Sequence, residues 1–566
     1  MRGGFVTWIG GIFSKVNMSR DELKQKLTLM TESAFPASEP SAAYPRRVLF
    51  VLNEARGQAL TQVSIPTERT LPEHIDPDYR EKPSLIFDGH IYDFENVQSK
   101  LSPARHRSNE TSAEPLIRLM AESPGTLEQT VRRALTGLDG DYSLAVTDVD
   151  KMVISRDSLG TRPLYFAENS KLIAFASNKK PLWQIGLDEA RSLRAGKLAV
   201  FDHEGVSVKK ARPLPKRAIE IESMAKAVSA YEQVLRPAVG KRLTAVKHIR
   251  KVGVLLSGGV DSCLLAKLIQ DAALGLGMEV VAYTAGLCDS PDERFAREFA
   301  GELGVKHQVK TLSSSEVERY VPKVIEAIED SDFVQVETGI GLYAAIDMAG
   351  QDGARVVFSG QGPDELWGGY NWYPSVLCKD GRQELCRRMR EDFTRTDIET
   401  LDRENKIALA HDMELLFPYL DTEVAKVAMS VASELKVPSE RDRLGKHPHR
   451  QLAIRVGIPE KYANREKLAI QHGTGIHGVL DDIARRNGFD PALVRNTGYR
   501  SEEITTTKMG SSARYGYRYI DKKLWEVPQH VQFFFQALAY RQGLLDRSVR
   551  DGVGHFLERA RLPRES

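Results

Sequence analysis

The sequence predicts an α/β protein in two parts: a strand-rich N-terminal half, and a C-terminal half built on a doubly wound parallel sheet with a helical end. Three observations carry this. The chain has 566 residues, well past the ~250 to 300 at which a single core stops growing. Its first 205 residues alternate short β-type runs ("RRVLFVL", "SLIFDGHIYDF", "YSLAVTDV", "KMVISR", "LIAFAS") with Pro/Ser-rich loops such as "AFPASEPSAAYP". Beyond "KKARPLPKRAIEIES" (209–223), strands and helices alternate, the pattern of a sheet that binds ligands at the carboxyl ends of its strands.

Taken in order, Gly3 to Phe13 is mostly apolar after Arg2. No small-x-small cleavage site follows promptly and no run approaches ~18 apolar residues, so the segment reads as a first strand. The two prolines and basic cluster of 209–223 suit a linker, which sets the parts at 1–208 and 224–566. After it come a strand at 252–256, a helix from Asp261, the strand "EVVAYTAGL", the helix "PDERFAREFAGEL" with Phe295, Phe299 and Leu303 four apart, and the strand "ARVVFSG". The remainder is mainly helical, interrupted by a polar loop near "TTTKMGSSARYG"; there is no internal repeat and no low-complexity tract.

Composition excludes several classes. With 79 basic against 77 acidic residues and a net charge of +2, nothing demands nucleic acid or a membrane. The four cysteines, Cys263, Cys288, Cys378 and Cys386, form no CxxC pair, so neither a zinc cluster nor a disulfide framework is indicated, and a cytoplasmic location fits best.

The chemistry concentrates in "VGVLLSGGVDSCLLAKLIQ" (252–270). An apolar strand runs into a turn of Ser257, Gly258, Gly259, Val260, Asp261 and Ser262 and then into a helix, which is a shape for holding an anion. A Walker loop would place a Lys here to reach the β- and γ-phosphates; this turn has none, so simple γ-phosphate transfer is disfavoured. The backbone N–H groups of Gly258 to Ser262, the hydroxyls of Ser257 and Ser262 and the helix dipole suit a pyrophosphate, and Asp261 suits Mg²⁺, which takes one or two carboxylates together with phosphate oxygens. The bland alternative is a tight βα turn with Asp261 capping a helix. A second stretch, "VVFSGQGPDELWGGY" (356–370), again ends a strand in Ser-Gly and offers Asp364 and Glu365, which for ordinary helices would be N-terminal acids. Two strand ends, each with small residues and an acid, are what a Mg–pyrophosphate group needs from both sides.

Together these stretches resemble the asparagine synthetase family, the amide-forming branch of the PP-loop ATP pyrophosphatases, over nearly the whole chain. The resemblance implies that Ser257 to Ser262 bind the pyrophosphate of ATP, that Ser359, Gly360, Gln361 and the following residues to Glu365 complete the site, that Leu255 and Ala285 line the adenine pocket, and that Asp261 and Asp364 bind Mg²⁺. "SPDERFAREFAGELGVKH", "AHDMELLFPYLD" (410–421), "GKHPHRQLA" and "IPEKYANREKLA" match further family elements. By the last of these, Arg465 and Lys467 face the acyl-adenylate and departing pyrophosphate, where a fixed cation stabilises developing charge.

The segment 137–182 is similar to the glutamine amidotransferase half of the same family, which implies an N-terminal-nucleophile αββα sandwich. That chemistry needs a cysteine after the initiator methionine, attacking as a thiolate with its own α-amine as base. Position 2 is Arg2, and if "GGIFS" (10–14) is aligned with the family's CGIFG the position is Gly10. The family's NGEIYN contact reads Asp88-Gly89-His90-Ile91-Tyr92-Asp93, placing a carboxylate where an oxyanion needs a donor. The family's ammonium-holding acid becomes Ser112, and no HRGPD-like segment occurs near 28–47. The half reads as a retained fold without glutaminase activity.

A second departure lies at Gln361, where asparagine synthetases carry Glu and β-lactam-forming relatives Tyr. A carboxamide hydrogen-bonds an amine but takes no proton at neutral pH; Glu365, His411 and Glu414 are the neighbouring groups offered for that task. The expected activity is an ATP- and Mg²⁺-dependent amide ligase that adenylates a carboxylate, aspartate first, and joins it to free ammonia or an amine, in asparagine biosynthesis. Amide or lactam formation on another acid, tRNA modification and non-catalytic nucleotide binding are the competing readings; lack of a basic, aromatic-rich domain argues against the second. A homodimer, and a glutaminase partner delivering ammonia in trans, are both compatible with the sequence.

Overall fold

The computed structural model describes residues 7–16, 18–34, 47–53, 59–61, 84–93, 97, 99, 114–148, 150–212, 220–468, 470–501, 504 and 527–560. Arg2, Ser112, much of 28–47 and the polar loop near 505–516 lie outside these. The chain forms two compact units, Met1–Leu214 and Pro215–Ser566. No helix among the described residues is long and apolar enough to cross a membrane.

Among the described residues the first unit carries eleven strands: β1 (Thr7–Ser14), β2 (Arg47–Asn53), β3 (Ala59–Thr61), β4 (Ser84–Ile91), β5 (Gly140–Thr147), β6 (Met152–Arg156), β7 (Tyr165–Glu168), β8 (Leu172–Ala176), β9 (Arg191–Ser192), β10 (Lys197–Asp202) and β11 (Gly205–Lys210). They form two sheets, β3-β2-β1-β8-β7-β9 and β11-β10-β6-β5-β4. Side chains of both sheets share one core, with Ile9, Phe13, Phe166 and Phe175 from the first meeting Ile86, Ala145, Ile154 and Phe201 from the second. Strand alternation sends Tyr142, Leu144 and Val146 of β5 to the other face, where they pack on Leu116, Met120, Val131 and Leu135 of helices Glu114–Glu122 and Leu127–Leu135. Helices Arg20–Ser33 and Lys180–Gln184 cover β1 and β8, completing the αββα layering. Burial on both faces is why "YSLAVTDV" reads as a nearly continuous apolar run. The expected linker begins too early: Lys209 and Lys210 pair with Leu198 and Lys197 as the end of β11.

The second unit is built on five parallel strands, β12 (Lys251–Leu255), β13 (Glu279–Leu287), β14 (Lys306–Leu312), β15 (Val356–Phe358) and β16 (Glu414–Leu416), in the order β14-β13-β12-β15-β16. The chain moves outward from β12 through β13 to β14 and then returns to the other side of β12 for β15. The order therefore reverses between β12 and β15, the place where open α/β sheets bind ligands. Helix Pro291–Leu303 shows how local sequence fixes its neighbours: the Ser290 hydroxyl accepts from Glu293 N, Pro291 opens the first turn, and Gly304 closes it at φ 69°. β15 is shorter than "ARVVFSG" predicts, ending at Phe358, although Ser359 N still donates to Leu416 O of β16 at 3.0 Å.

Candidate active site at the switch point of the parallel sheet

Both loops singled out in the sequence leave the sheet side by side at this reversal, Ser257–Ser262 after β12 and Ser359–Glu365 after β15. A Cβ on Gly360 would stand 3.4 Å from Ser262 N, so the loops touch. Gly258 has φ +69°, and a Cβ there would lie 2.4 Å from Phe295 Cβ; only glycine takes that conformation so close to the helix behind it. The Ser262 hydroxyl accepts from Ser257 N and donates to Gly259 O, both at 3.1 Å, so its proton is spent on shaping the loop. Leu255 is half-buried and Ala285 buried, at the carboxyl ends of adjacent strands.

Neither acid caps its helix. Helix Val260–Leu274 is capped at Gly259 and helix Pro363–Trp367 at Gly362, neither with a side-chain bond. The two carboxylates instead share one cation: Lys446 Nζ lies 2.7 Å from Asp261 Oδ2 and 2.7 Å from Asp364 Oδ1. Lys467 Nζ donates to the other Asp364 oxygen at 2.8 Å. His449 Nε2 stands 3.2 Å from Asp261 Oδ1 while Tyr231 OH holds its Nδ1 at 2.9 Å, and Tyr419 OH donates to the Asp261 carbonyl at 2.8 Å. Burial by itself would raise both carboxyls, but Lys446 with His449 holds Asp261, and Lys446 with Lys467 holds Asp364, below the usual carboxylate range. Burial opposes the Lys467 charge, yet Asp364 and Asp261 keep its ammonium above the ordinary lysine range.

Lys446 is inserted at some cost. It is fully buried, with a left-handed backbone at φ 56°, and a Cβ on Gly369 would come within 1.9 Å of its Cε. A strained non-glycine backbone and a glycine clearing its path mark a position over-determined by its surroundings. The pair Asp261 and Asp364 fits a hard cation: the two buried carboxylates already converge on one positive charge, the Lys446 ammonium.

Arg465 links the first loop to its supporting helix. One of its terminal nitrogens donates to Ser257 O and the other to Asp292 Oδ1, both at 2.8 Å, and the guanidinium lies 4.2 Å over the Phe295 ring. The structure thus brings Asp261, Asp364, Arg465 and Lys467 together. Of the three groups offered as proton acceptors, it sets Glu414 and His411 apart from the loops and keeps Glu365 in the second one. Glu414 pairs with Val356 at the amino end of β15, the wrong end of the sheet. His411 bonds Ile407 O at 2.8 Å and packs on Tyr343, members of neither loop. Glu365 receives the Tyr370 hydroxyl at 2.5 Å, and burial together with Asp364 pushes its carboxyl up to about 8, so at neutral pH it holds a proton rather than accepting one. Sequence reasoning missed Lys446 and His449, although both stand in the quoted "GKHPHRQLA", and missed Glu404 altogether. Glu404 is 1% exposed and accepts the Ser359 hydroxyl at 2.8 Å.

In the first unit, Gly10 sits inside β1, paired with Phe50 of β2 and Ala176 of β8. A Cβ there would meet the Trp8 ring at 2.3 Å, and Trp8 is pinned by a 2.7 Å bond to Asn178 Oδ1. Asp88 is buried in β4, and Tyr92 OH donates to Asp141 at 2.7 Å.

The chain is similar to known proteins. The asparagine synthase domain family matches residues 230–390 and 378–536, and the glutamine amidotransferase domain family matches 74–184. A Methanocaldococcus jannaschii protein named "Putative asparagine synthetase (glutamine-hydrolyzing) 1" is 30% identical over 459 residues, 73% of this chain and 82% of its own. Human asparagine synthetase (glutamine-hydrolyzing) is 26% identical over 423 residues, 69% of this chain and 72% of its own. The solved structure of glutamine phosphoribosylpyrophosphate amidotransferase from B. subtilis, complexed with ADP and GMP, has a TM-score of 0.23 and 14% identity, covering 41% of this chain and 71% of that one. With paired loops at the switch point and a domain match spanning more than half its length, the chain belongs to the asparagine synthase family of carbon–nitrogen ligases.

Proposed function

We propose that this protein adenylates a carboxylic acid, aspartate first among candidates, and converts it to the amide with free ammonia or an amine. The observation that carries the reading is the meeting of two anion-holding loops with Arg465, Lys446 and Lys467 around the carboxylates of Asp261 and Asp364. In the first step a carboxylate oxygen attacks the α-phosphorus of ATP, giving R–CO–AMP and pyrophosphate. In the second, the amine nitrogen attacks the acyl carbon, AMP leaves with the C–O bonding pair, and one proton is released. Activation is needed because a carboxylate oxygen is a poor leaving group.

The chain's own groups supply binding and charge. Backbone N–H groups of Gly258 to Ser262 hold the pyrophosphate at a helix N-terminus, Arg465 and Lys467 offset the charge that leaves with it, and Leu255 and Ala285 flank the adenine. Asp261 and Asp364 would hold Mg²⁺, which would neutralise the phosphate oxygens. The first unit is proposed to lack glutaminase activity, since Gly10 offers neither thiol nor free amine and a side chain there would strike Trp8.

The test is pyrophosphate release from Mg²⁺, ATP and aspartate with no amine, ammonia or glutamine, with products read by mass spectrometry. Asparagine from ammonia but not from glutamine is expected. Asparagine from glutamine alone overturns the account of the first unit; silence in every tube removes aspartate as the acid, and silence with other carboxylic acids as well overturns the ligase reading in favour of nucleotide binding without turnover.

A further inference from the structure

The amine step releases one proton, and the second loop offers it poor acceptors: Gln361 is a carboxamide, and Glu365 is buried against the Tyr370 hydroxyl. A carboxylate–histidine pair stands at the same end of the sheet. Its carboxylate, Glu337, lies in the second turn of helix Phe333–Gln351. Asp352, just past the end of that helix, takes the Lys251 ammonium at the start of β12 at 3.2 Å, so the helix runs antiparallel to the strands and its first turns lie at their carboxyl ends. Two sets of contacts tie those turns to the loops. Gln335 Oε1 accepts from Arg403 at 2.8 Å, the residue before Glu404, which accepts the Ser359 hydroxyl at 2.8 Å. On the other flank a Cβ on Gly341 would lie 3.2 Å from Thr474 Cγ2, and Thr474 O accepts from Leu287 N at the end of β13 at 2.8 Å. Gly473 packs on Asp292, the partner of Arg465.

His477, which opens helix His477–Arg486, closes on this carboxylate with Nδ1 hydrogen-bonded to Glu337 Oε1. Glu337 is 2% exposed and the imidazole 40%. Once the pair has released its shared proton, Glu337 only accepts, so the remaining imidazole proton sits on Nδ1 and Nε2 carries a lone pair. We propose that His477 Nε2 is the general base of the amine step, with Glu337 as the positioning residue that fixes its ring and tautomer. This rests on the ligase reading. The amine lone pair forms the C–N bond, the acyl C–O bond breaks with its pair leaving on AMP, and the N–H proton passes to Nε2 and then to water.

The titration belongs to the pair. Burial raises Glu337 although His477 opposes it, and Glu337 raises His477 above the ordinary imidazole range although burial opposes it. The His472 ring, 4.8 Å away between centroids, is itself lowered by burial and by His477. Charges on the surrounding helices are already paired: Asp481 takes His530 at 2.6 Å and Arg485 at 2.5 Å, and Glu318 takes Arg486 at 3.0 Å.

The test separates the two half-reactions of the full chain, with ATP, Mg²⁺ and aspartate, and with neutral ammonia held at one concentration across a pH series. Amide formation is expected to rise with pH through an inflection above the ordinary imidazole value near 6.5. H477Q is expected to slow amide formation about a hundredfold and remove the inflection, while acid-dependent ATP–pyrophosphate exchange changes far less. E337Q takes away the charge that raises His477, so its inflection is expected at lower pH, a shift that a merely structural role would not produce. An H477Q amide rate within a few-fold of the unmodified protein, an equal loss of exchange, or an unmoved inflection in E337Q overturns the proposal while the ligase reading stands. Absence of exchange with any acid in the unmodified protein is the failure of the ligase reading and removes this proposal with it. Nitrogen NMR of the histidine-labelled chain reads the pair without turnover: a proton on Nδ1 of His477 in the basic limb is expected, and a proton on Nε2 there overturns the assignment.

Discussion

Lys446 Nζ stands 2.7 Å from Asp261 Oδ2 although 185 positions separate the two residues. The same ammonium is 2.7 Å from Asp364 Oδ1, so it keeps two buried carboxylates from repelling each other. Replacing it by methionine, K446M, leaves them without that charge, and removing one partner of a buried ion pair costs about 3 to 5 kcal/mol. A lower melting temperature in the absence of divalent ions is expected, with a larger recovery on adding Mg²⁺ than the unmodified protein shows. Equal Mg²⁺ responses would remove the two aspartates as its ligands.

The glycines of the first loop are not equivalent. Gly258 has φ +69° with a Cβ position 2.4 Å from Phe295, whereas a Cβ on Gly259 would meet only the Ser257 hydroxyl at 3.4 Å. G258A is expected to weaken ATP binding at least tenfold, from about 1 to 2 kcal/mol of left-handed strain together with the clash; G259A should stay within a few-fold. Isothermal titration with ATP and Mg²⁺ checks the pair, and indistinguishable losses would mean the loop is free to rearrange.

What could be read in advance follows the range of the interactions. "VGVLLSGGVDSCLLAKLIQ" showed its strand, turn and helix because each is set by residues a few positions apart, and the helix Pro291–Leu303 carried its own cap and stop. The αββα half was legible as strands, but not which face of β5 met helices, because both faces are buried. Asp261 and Asp364 were recognised through their loops. Their partners were not: Lys446, His449 and Tyr231 arrive from other elements, and no local periodicity encodes that meeting. Glu404 sits in "LDRENKIALA", an ordinary charged helix by composition; only the three-dimensional approach of Ser359 links it to the second loop.

Arg465 is held by shape as well as charge. Its two terminal nitrogens reach Ser257 O and Asp292 Oδ1 at 2.8 Å each while its plane covers Phe295, a combination that a lysine cannot reproduce. R465K is expected to slow pyrophosphate formation about tenfold or more, with a smaller effect on KM for ammonia, measured by acid-dependent pyrophosphate release. A change confined to the ammonia step would place Arg465 elsewhere in the reaction.

The sheet that carries the loops should lose stability in mild acid through His307. This residue is half-buried on β14, beside Ala282 of β13, with Nε2 2.8 Å from Thr284 Oγ1. Thr284 gives its one hydroxyl proton to Leu256 O at 2.5 Å, so Nε2 is the donor to Thr284. Burial, with Arg297 adding to it, pushes the imidazole down from 6.5 to about 4. Between these values the unfolded chain binds a proton that the folded chain does not, so stability rises with pH across that window and is flat in this respect above it. The contribution is fully present above pH 6.5 and is lost as pH falls toward 4, at no more than about 1.4 kcal/mol per pH unit. His307→Gln keeps a donor for Thr284 and removes the titration, so urea unfolding at a series of pH values should show a shallower acid slope in H307Q. Parallel slopes would show that His307 is charged in the folded protein and that the link from β14 to Leu256 survives its protonation.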